Sequence, residues 1–208
     1  MLQKQVEKSH YEFSRYMTKA RWCSVWHQLD EVLRLGPENV LEIGPGPGLF
    51  RAVADTFGLS VDTVDLDPDL RPTYVASATS LPMADDTYSV VCAFQMLEHL
   101  PYQESLRAFG ELVRVSRRHV LVSLPDATPV WRYLAQLPKL GTRELFLPRP
   151  RLRRPVHRFD GEHHWEIGKR GFALEKVVRD FARSATLTKT YRVSENPYHR
   201  FFVFSKVE

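Results

Sequence analysis

The amino-acid sequence predicts an α/β protein with a mostly parallel β-sheet and helices on both of its faces. Short apolar runs alternate with segments of helical periodicity along most of the chain. These runs lack the in-and-out alternation of half-exposed strands, which is typical of parallel strands covered on both sides. A glycine-rich turn joins the first of them to a helix, and 208 residues suffice for one domain with a hydrophobic core.

The first element is a helix predicted over residues 11–35, where apolar and aromatic residues recur at helical spacing. Gly36 and Pro37 end it with turn chemistry. By this period its tryptophan and valine positions are expected to face the core. They include Trp22, Val25, Trp26 and Val32.

A βαβ unit follows, with a strand at residues 39–43, a helix at 49–57 and a second strand at 60–64. Further strands are expected at 73–76, 88–94 and 119–124, with a helix at 102–115. The chain then predicts a helix at 172–182 and two strands, 185–193 and 198–207, joined by a turn. Such a hairpin makes the last strand antiparallel to its partner.

Composition places the chain among ordinary globular proteins, with 43% hydrophobic and 26% charged residues. The first residues lack the apolar core of a signal peptide, and no apolar run reaches the length of a membrane span. Cys23 and Cys92 are expected to be buried free thiols rather than a disulfide pair. These features predict a cytoplasmic protein.

The stretch VLEIGPGPGLF places Gly44, Gly46 and Gly48 at the turn between the first strand and its helix. Glycine there lets a ligand approach the backbone, and the following helix directs its N–H groups towards that ligand. Leu49 stands where a dinucleotide-binding turn has its third glycine, and no Gly-Lys-Ser/Thr of a P-loop follows. Glu42 suits a ligand with an ammonium and a sulfonium group, such as S-adenosylmethionine.

VLEIGPGPG resembles motif I of the class I S-adenosylmethionine-dependent methyltransferases. Three later segments, VDLDP, SATSLPMADDTYSVV and FQMLEHLP, resemble the following motifs of the small-molecule, type 11 subgroup. The resemblance covers residues 39–124. It implies a Rossmann-like fold with a seven-stranded, mostly parallel sheet whose C-terminal hairpin supplies the reversed strand.

The resemblance also implies roles for individual residues. Glu42 would orient the methionyl ammonium, Asp65 would hold both ribose hydroxyls, and Leu66 would pack on the adenine. Ser77 stands where the subgroup has an acid beside the adenine amine, so a hydroxyl or nearby backbone would make that contact. The complete set of expected cofactor-binding residues is Glu42, Gly44, Pro45, Gly46, Gly48, Asp65, Leu66, Ser77, Ala78, Thr79, Gln95 and Met96.

His99 is the candidate general base, since a neutral imidazole can accept a proton near neutral pH. The alternative is that His99 only begins the next helix and shapes the cofactor pocket. Candidate substrate or lid contacts are Tyr11, Tyr16, His163 and His164. The histidine pair lacks the spacing of known zinc motifs, so no metal is expected.

Residues 139–158 carry one lysine and six arginines against a single acid, Glu144. Prolines and a glycine around them predict a long irregular insertion, a common form of lid or binding loop. A small anionic acceptor is the interpretation that this charge favours. Nucleic acid, an anionic membrane surface and a merely solvated loop remain alternatives.

The predicted function is methyl transfer from S-adenosylmethionine to a small acceptor, leaving S-adenosylhomocysteine, and the basic segment favours an anionic one. A nicotinamide-dependent dehydrogenase and a non-catalytic binding protein that uses the basic loop for nucleic acid are the alternatives. The acceptor, its reacting atom and the oligomeric state stay open. Residues 1–208 are interpreted as one domain, with a helical lid at 1–38, a cofactor-binding core at 39–124, a basic insertion and substrate lid at 137–165, and a C-terminal helix and hairpin at 172–208.

Overall fold

The structure is a computed structural model that describes residues 12–139, 141–151 and 153–206. Its α-helices are α1 Phe13–Tyr16, α2 Lys19–Arg34, α3 Leu49–Thr56, α4 Tyr102–Val115 and α5 Leu174–Phe181. Its strands are β1 Val40–Ile43, β2 Val61–Asp65, β3 Tyr74–Val75, β4 Tyr88–Phe94, β5 Ser116–Pro125, β6 Val130–Leu137, β7 Gly141–Pro148, β8 Thr186–Arg192 and β9 His199–Ser205.

Seven strands form one sheet in the order β3-β2-β1-β4-β5-β9-β8. The strands from β3 to β5 pair in parallel, whereas β9 is antiparallel to both β5 and β8. This confirms the predicted fold class, including the reversed strand from the C-terminal hairpin. Because parallel strands share one carboxyl edge, the ends of β1, β2 and β4 lie side by side.

The central strand β4 is buried along its whole length, because helices cover both faces of the sheet. Val91 and Ala93 pack on the side that holds α4 and α5, and Val90 and Cys92 pack on the opposite side with α2 and α3. Alternate side chains of β4 therefore pack into two separate hydrophobic cores, which is why the sequence of this strand shows no alternation of apolar and polar residues.

The N-terminal helix differs from the prediction in two ways. It breaks at Met17, and a new helix begins after Thr18, whose hydroxyl accepts a hydrogen bond from the Arg21 N–H at 3.1 Å. Val25 and Val32 are buried as expected, but Trp22 and Trp26 are 50% and 57% exposed. The core placement of the tryptophans is wrong, because α2 buries only one stripe and they lie outside it.

The insertion also differs from the prediction. In place of an irregular loop, β6 and β7 form an antiparallel ribbon in unbroken register from Val130↔Pro148 to Leu137↔Gly141. The predicted boundary at residue 137 is wrong, since it separates β6 from its partner. Prolines suggested a loop, yet Pro129, Pro138 and Pro148 lie at strand ends, where their missing N–H costs little.

The two cysteines are both free, as predicted. Cys92 is buried, but Cys23 is only partly buried on α2. Among the described residues, no helix combines the length and the apolar character that a membrane crossing requires.

Candidate functional site

The glycine turn lies where the carboxyl end of β1 enters α3. Gly44, Gly46 and Gly48 all have positive φ angles, of 69°, 53° and 74°, a conformation that other residues adopt with strain. A Cβ atom on Gly44 would lie 2.4 Å from Cγ of Met96, so only glycine fits beneath that side chain. Gly48 caps α3 without a side chain, which leaves the approach to the first helical N–H groups open.

Glu42 points from the end of β1 into this region. Its residue is 3% exposed, and its Oε2 has no hydrogen-bond partner among the described residues. Burial raises the pKa of Glu42 to about 8, with a smaller contribution from the charge of Asp65. A buried carboxylate without a partner is costly, and a cationic ligand group would supply the missing interaction.

Asp65 ends the neighbouring strand β2, beside Leu66, which is 40% exposed. One carboxylate oxygen of Asp65 accepts a hydrogen bond from the Asp67 N–H at 2.9 Å, which fixes the side chain at the strand end. Burial raises the pKa of Asp65. The Asp67 carboxylate accepts a hydrogen bond from the Asp69 N–H at 3.0 Å, so it caps the following turn.

Residues 77–80 form the next part of this edge, after β3. The Ser77 hydroxyl lies 2.8 Å from the Thr79 hydroxyl and accepts from the Thr79 N–H at 3.2 Å. Ala78 packs against the core between them. Ser77 therefore stabilises its own turn, and the contact of these residues with adenine remains a prediction.

Gln95 and Met96 follow β4 at the same edge. Gln95 has a positive φ of 53°, and its side-chain amide donates to the Ser123 hydroxyl at 3.2 Å. This strained position is held by β5, because the Gln95 N–H also donates to the Ser123 carbonyl at 2.9 Å. Gln95 lines the same small cavity as Glu42 and Gly44.

That cavity has a volume of about 50 Å³ and is covered by the segment that joins α1 and α2. Tyr16 and Arg21 line it, with the Arg21 guanidinium 4.1 Å from the centre of the Tyr16 ring. Nucleoside-sized ligands need about 300 Å³ or more, so this segment must move outward to admit one. Tyr11, the other predicted lid contact, lies outside the described residues.

Glu98 is the least expected member of the site. It lies in a 3-10 turn, Leu97–His99, directly after Met96. It is fully buried, and neither carboxylate oxygen has a hydrogen-bond partner among the described residues. Burial raises the pKa of Glu98 to about 8, the same direction and cause as for Glu42. The FQMLEHLP motif contains Glu98, but the burial of its side chain was not evident from the sequence.

His99 and His163 both lie beside Glu98, although they come from distant parts of the chain. The Nδ1 of His99 is 3.0 Å from the Glu162 carbonyl, and the two imidazole rings are 5.1 Å apart. The Nδ1 of His163 lies 3.1 Å from the Glu166 carboxylate. The structure thus brings two predicted site residues, His99 and His163, together beside Glu98.

Glu166 organises this part of the site, a role that the sequence did not reveal. It accepts a hydrogen bond from the Tyr198 hydroxyl at 2.6 Å and lies 3.3 Å from the Lys169 ammonium. These partners outweigh its burial and lower the pKa of Glu166. His164 is different from its neighbour, because its ring stacks on Phe159 at 4.5 Å.

Two groups of described residues place possible metal-ligand atoms within 4.8 Å of one another. They are Glu98–His99–His163 and Asp160–His163–Glu166. His163 belongs to both groups, and its Nδ1 is already engaged with Glu166. The prediction that no metal is needed stays a prediction.

A larger cavity of about 410 Å³ lies at the base of the β6–β7 ribbon. Arg200 lines it, whereas the preceding His199 lines the small cavity, so the two cavities lie on opposite faces of β9. Asp126 joins Arg192 and Arg200 there, with its carboxylate 3.0 and 2.7 Å from their Nε atoms. Despite its volume, this cavity is separate from the glycine turn, and we do not place the reaction in it.

Comparison with known proteins adds evidence to this geometry. A family model described as a methyltransferase domain matches residues 13–177. An uncharacterized methyltransferase of Mycobacterium sp. (strain JLS) is 30% identical over 142 residues, which are 62% of this chain and 52% of that protein. Another, from Mycobacteroides abscessus, is 27% identical over 201 residues, 84% of this chain and 71% of that protein. The chain spans about half the length of the first of these relatives.

Solved structures share the fold. Magnesium protoporphyrin IX methyltransferase from Synechocystis PCC 6803, with bound S-adenosylhomocysteine, has a TM-score of 0.61 at 14% identity, covering 90% of this chain and 84% of that one. A Burkholderia thailandensis 1,6-didemethyltoxoflavin-N1-methyltransferase, also with S-adenosylhomocysteine, has a TM-score of 0.64 at 14% identity, covering 96% and 85%.

Proposed function

Because this chain belongs to the methyltransferase-domain family, we propose that it transfers a methyl group from S-adenosylmethionine to a small, anionic acceptor. The family match bears out the resemblance to class I S-adenosylmethionine-dependent methyltransferases. Neighbours with S-adenosylmethionine or S-adenosylhomocysteine bound bear out the predicted cofactor. The acceptor is our inference from the charges around the site.

The proposal rests on one observation: Glu42, Gly44 and Asp65 lie together at the carboxyl ends of β1 and β2. Glu42 offers a buried oxygen without a partner, which suits the ammonium of the methionyl group. The turn at Gly44 lets that group approach the backbone closely. Asp65 offers a carboxylate at the adjacent strand end, and a carboxylate is a natural acceptor for both hydroxyls of a ribose.

When bound, S-adenosylmethionine supplies an electrophilic methyl group on a sulfonium. The chain's own contribution is positioning and the exclusion of water. Tyr16 and Arg21 cover the cavity from the α1–α2 segment, so closure of this segment would hold the acceptor beside the methyl group. The main task of these residues is therefore to hold donor and acceptor in position and to keep water out of the site.

The charge balance of the site supports an anionic acceptor. Burial raises the pKa of Glu98 to about 8, so this carboxyl group is mostly neutral at neutral pH, whereas the ammonium of the bound cofactor would keep Glu42 ionised. Arg21 then provides the nearby positive charge, and its field acts on Glu98. An acceptor that already carries a negative charge needs no base. For a neutral acceptor, His99 remains the candidate base, since its Nδ1 is held at the Glu162 carbonyl.

We further propose that the enzyme works in the cytoplasm. Both of its cysteines are free thiols, which suits a reducing compartment.

The proposal is tested by calorimetric titration of the purified chain with S-adenosylhomocysteine. We expect Asp65→Ala to weaken binding at least tenfold, about 1.4 kcal/mol, because the ribose hydroxyls lose their acceptor. Asp55→Ala is the matched control, since Asp55 is exposed on α3, and it should bind like wild type. Equal affinities for the two variants would remove Asp65 from the cofactor site.

The acceptor is tested separately, with labelled S-adenosylmethionine and sets of small carboxylates, phosphates and amines. We expect label to be transferred to a member of an anionic set, and transfer to fall when Arg21 is replaced by Gln. Transfer to amines alone would contradict the acceptor class and leave the cofactor assignment intact. An absence of cofactor binding in the folded protein would contradict the function itself.

A further inference from the structure

The β6–β7 ribbon has two chemically different faces, which its register defines. Directly opposed residues share a face, and Trp131 lies opposite Leu147 as Tyr133 lies opposite Leu145. We call this side the outer face. It consists of Trp131, Tyr133, Ala135, Leu137, Gly141, Arg143, Leu145 and Leu147.

The outer face is apolar and exposed to solvent. Trp131, Tyr133 and Leu145 are 46%, 53% and 55% exposed, and Leu137 and Leu147 are 41% and 40% exposed. These side chains are adjacent across the two strands, so they form one continuous patch and not scattered single residues. Such patches mark binding surfaces more often than isolated apolar residues do.

The opposite face meets the protein only at its base, where Val130 and Phe146 are partly buried, and is exposed further along, at Leu134. Val130, Phe146 and Pro148 line the cavity at the ribbon's base. This face also carries the ion pair between Arg132 and Glu144, at 3.6 Å. A ribbon that serves only the protein's own stability would turn its apolar face inward. This one turns it outward, which indicates an external partner.

The segment that carries β7 is rich in positive charge, with Arg143 on the outer face itself and Arg154 at the cavity on the other side. The exposed cations of residues 139–158 are Lys139, Arg143, Arg149, Arg151, Arg153, Arg154 and Arg158. The Arg149 guanidinium lies 5.8 Å from the centre of the Trp131 ring, so cation and apolar patch are in contact. Glu144 is the acid among residues 139–158, and it is engaged with Arg132.

We propose that the outer face docks on an anionic lipid bilayer. Tryptophan, tyrosine and leucine would enter the boundary between headgroups and acyl chains, where amphipathic aromatic rings are favoured. The arginines would contact lipid phosphates, to which an anionic surface attracts them. The ribbon thereby acts as a peripheral membrane anchor that leaves the sheet and its cofactor edge outside the bilayer.

Two other occupants fit the surface less well. In a symmetric dimer the arginines of the two copies would be brought together at the interface, and like charges repel. Single-stranded nucleic acid is bound by aromatic platforms, whereas three of the five exposed apolar residues of the outer face are leucines. The combination of leucines, interfacial aromatics and arginines favours lipid.

The test is vesicle flotation with the full chain. We expect binding to phosphatidylcholine vesicles that contain about one third phosphatidylglycerol, weak binding to pure phosphatidylcholine, and loss of binding in high salt. Leu145→Ser on the outer face should reduce binding at least threefold, and Trp131→Ser at least tenfold. Leu134→Ser is the matched control, because Leu134 is 56% exposed but lies on the opposite face.

A second set of variants separates charge from apolar contact. Arg149→Gln combined with Arg151→Gln should weaken binding to anionic vesicles only, and circular dichroism should show every variant folded. Equal loss in Leu145→Ser and Leu134→Ser would overturn the proposal, as would failure of wild type to bind anionic vesicles. Salt-sensitive RNA binding without vesicle binding, or a dimer that Leu145→Ser dissociates, would assign the face to those partners instead.

Discussion

The cofactor edge and the proposed acceptor side, which is the cluster of Glu98, His99 and His163, are built in different ways. The cofactor edge is local in sequence, since Glu42, Gly44 and Gly48 lie within one strand-turn-helix connection. The acceptor side is assembled from distant segments, with the His164 N–H donating to the Glu98 carbonyl at 2.9 Å. A shared cofactor can be recognised by a fixed local motif, whereas an acceptor site can be rebuilt from different loops on the same sheet.

The two regions also treat buried charge differently. At the cofactor edge, Glu42 is buried with an oxygen that has no partner among the described residues, as a ligand site requires. At the base of the insertion, Asp126 is buried between Arg192 and Arg200 and is fully engaged. We therefore expect Glu42 to pair with a cationic group of a ligand, whereas Asp126 pairs with arginines of the protein itself.

Asp126→Ala should produce the largest loss of stability. Both arginines would lose their buried partner, and breaking such a pair costs about 3 to 5 kcal/mol. Urea unfolding measures this loss, and Glu104→Ala, which breaks the surface pair with Arg107, should cost less than about 1 kcal/mol. Similar costs for the two variants would show that the buried pair does not support the insertion.

Gly44→Ala should affect the cofactor edge next most strongly. Both Gly44 and Gly48 have positive φ, but only a Cβ at Gly44 meets Met96, at 2.4 Å, whereas one at Gly48 meets nothing within 4 Å. We expect Gly44→Ala to cost about 2 kcal/mol and to weaken S-adenosylhomocysteine binding at least a hundredfold. Gly48→Ala should cost about 1 kcal/mol from backbone strain alone.

Calorimetry and thermal unfolding of both variants give these values. If Gly48→Ala impairs binding as much as Gly44→Ala, backbone strain and not the contact with Met96 controls the turn.

Glu98→Gln should change the pH dependence of stability. The pKa of Glu98 rises from 4.5 to about 8 on folding, so the folded state holds its proton more tightly between these values. The resulting stability is complete below pH 4.5 and is lost as pH rises through 8, by about 1.4 kcal/mol per pH unit. Glu42 has a pKa of about 8 for the same reason and contributes a similar slope.

Glu98→Gln should therefore make the pH slope of the free energy of unfolding between pH 5.5 and 7.5 less negative by about 1.4 kcal/mol per pH unit. Chemical unfolding across this range measures it, with Glu104→Gln as the control at an exposed position. An unchanged slope in Glu98→Gln would mean that Glu98 is ionised in the folded protein.

The sequence predicted the sheet well, because each buried strand is a short run of apolar residues that can be recognised without knowledge of the rest of the fold. The β4 prediction, residues 88–94, is confirmed without a shift, and α4 is confirmed at both ends. The prediction of an irregular insertion was wrong, because prolines at the ends of strands look the same in sequence as prolines in loops. The predicted burial of Trp22 and Trp26 was wrong. Helical periodicity gives the spacing of the buried residues, but the packing partner determines which side of the helix is buried.

By itself, the sequence determined the fold class, the family and the cofactor edge. Local rules suffice there, since a glycine turn after a buried strand places Glu42 and Asp65 at neighbouring strand ends whatever the rest of the chain does. Only the tertiary structure decided that Glu98 meets His163, and that the ribbon turns its apolar face outward. Those facts depend on contacts between segments far apart in the chain, and such contacts are set by how the whole core packs.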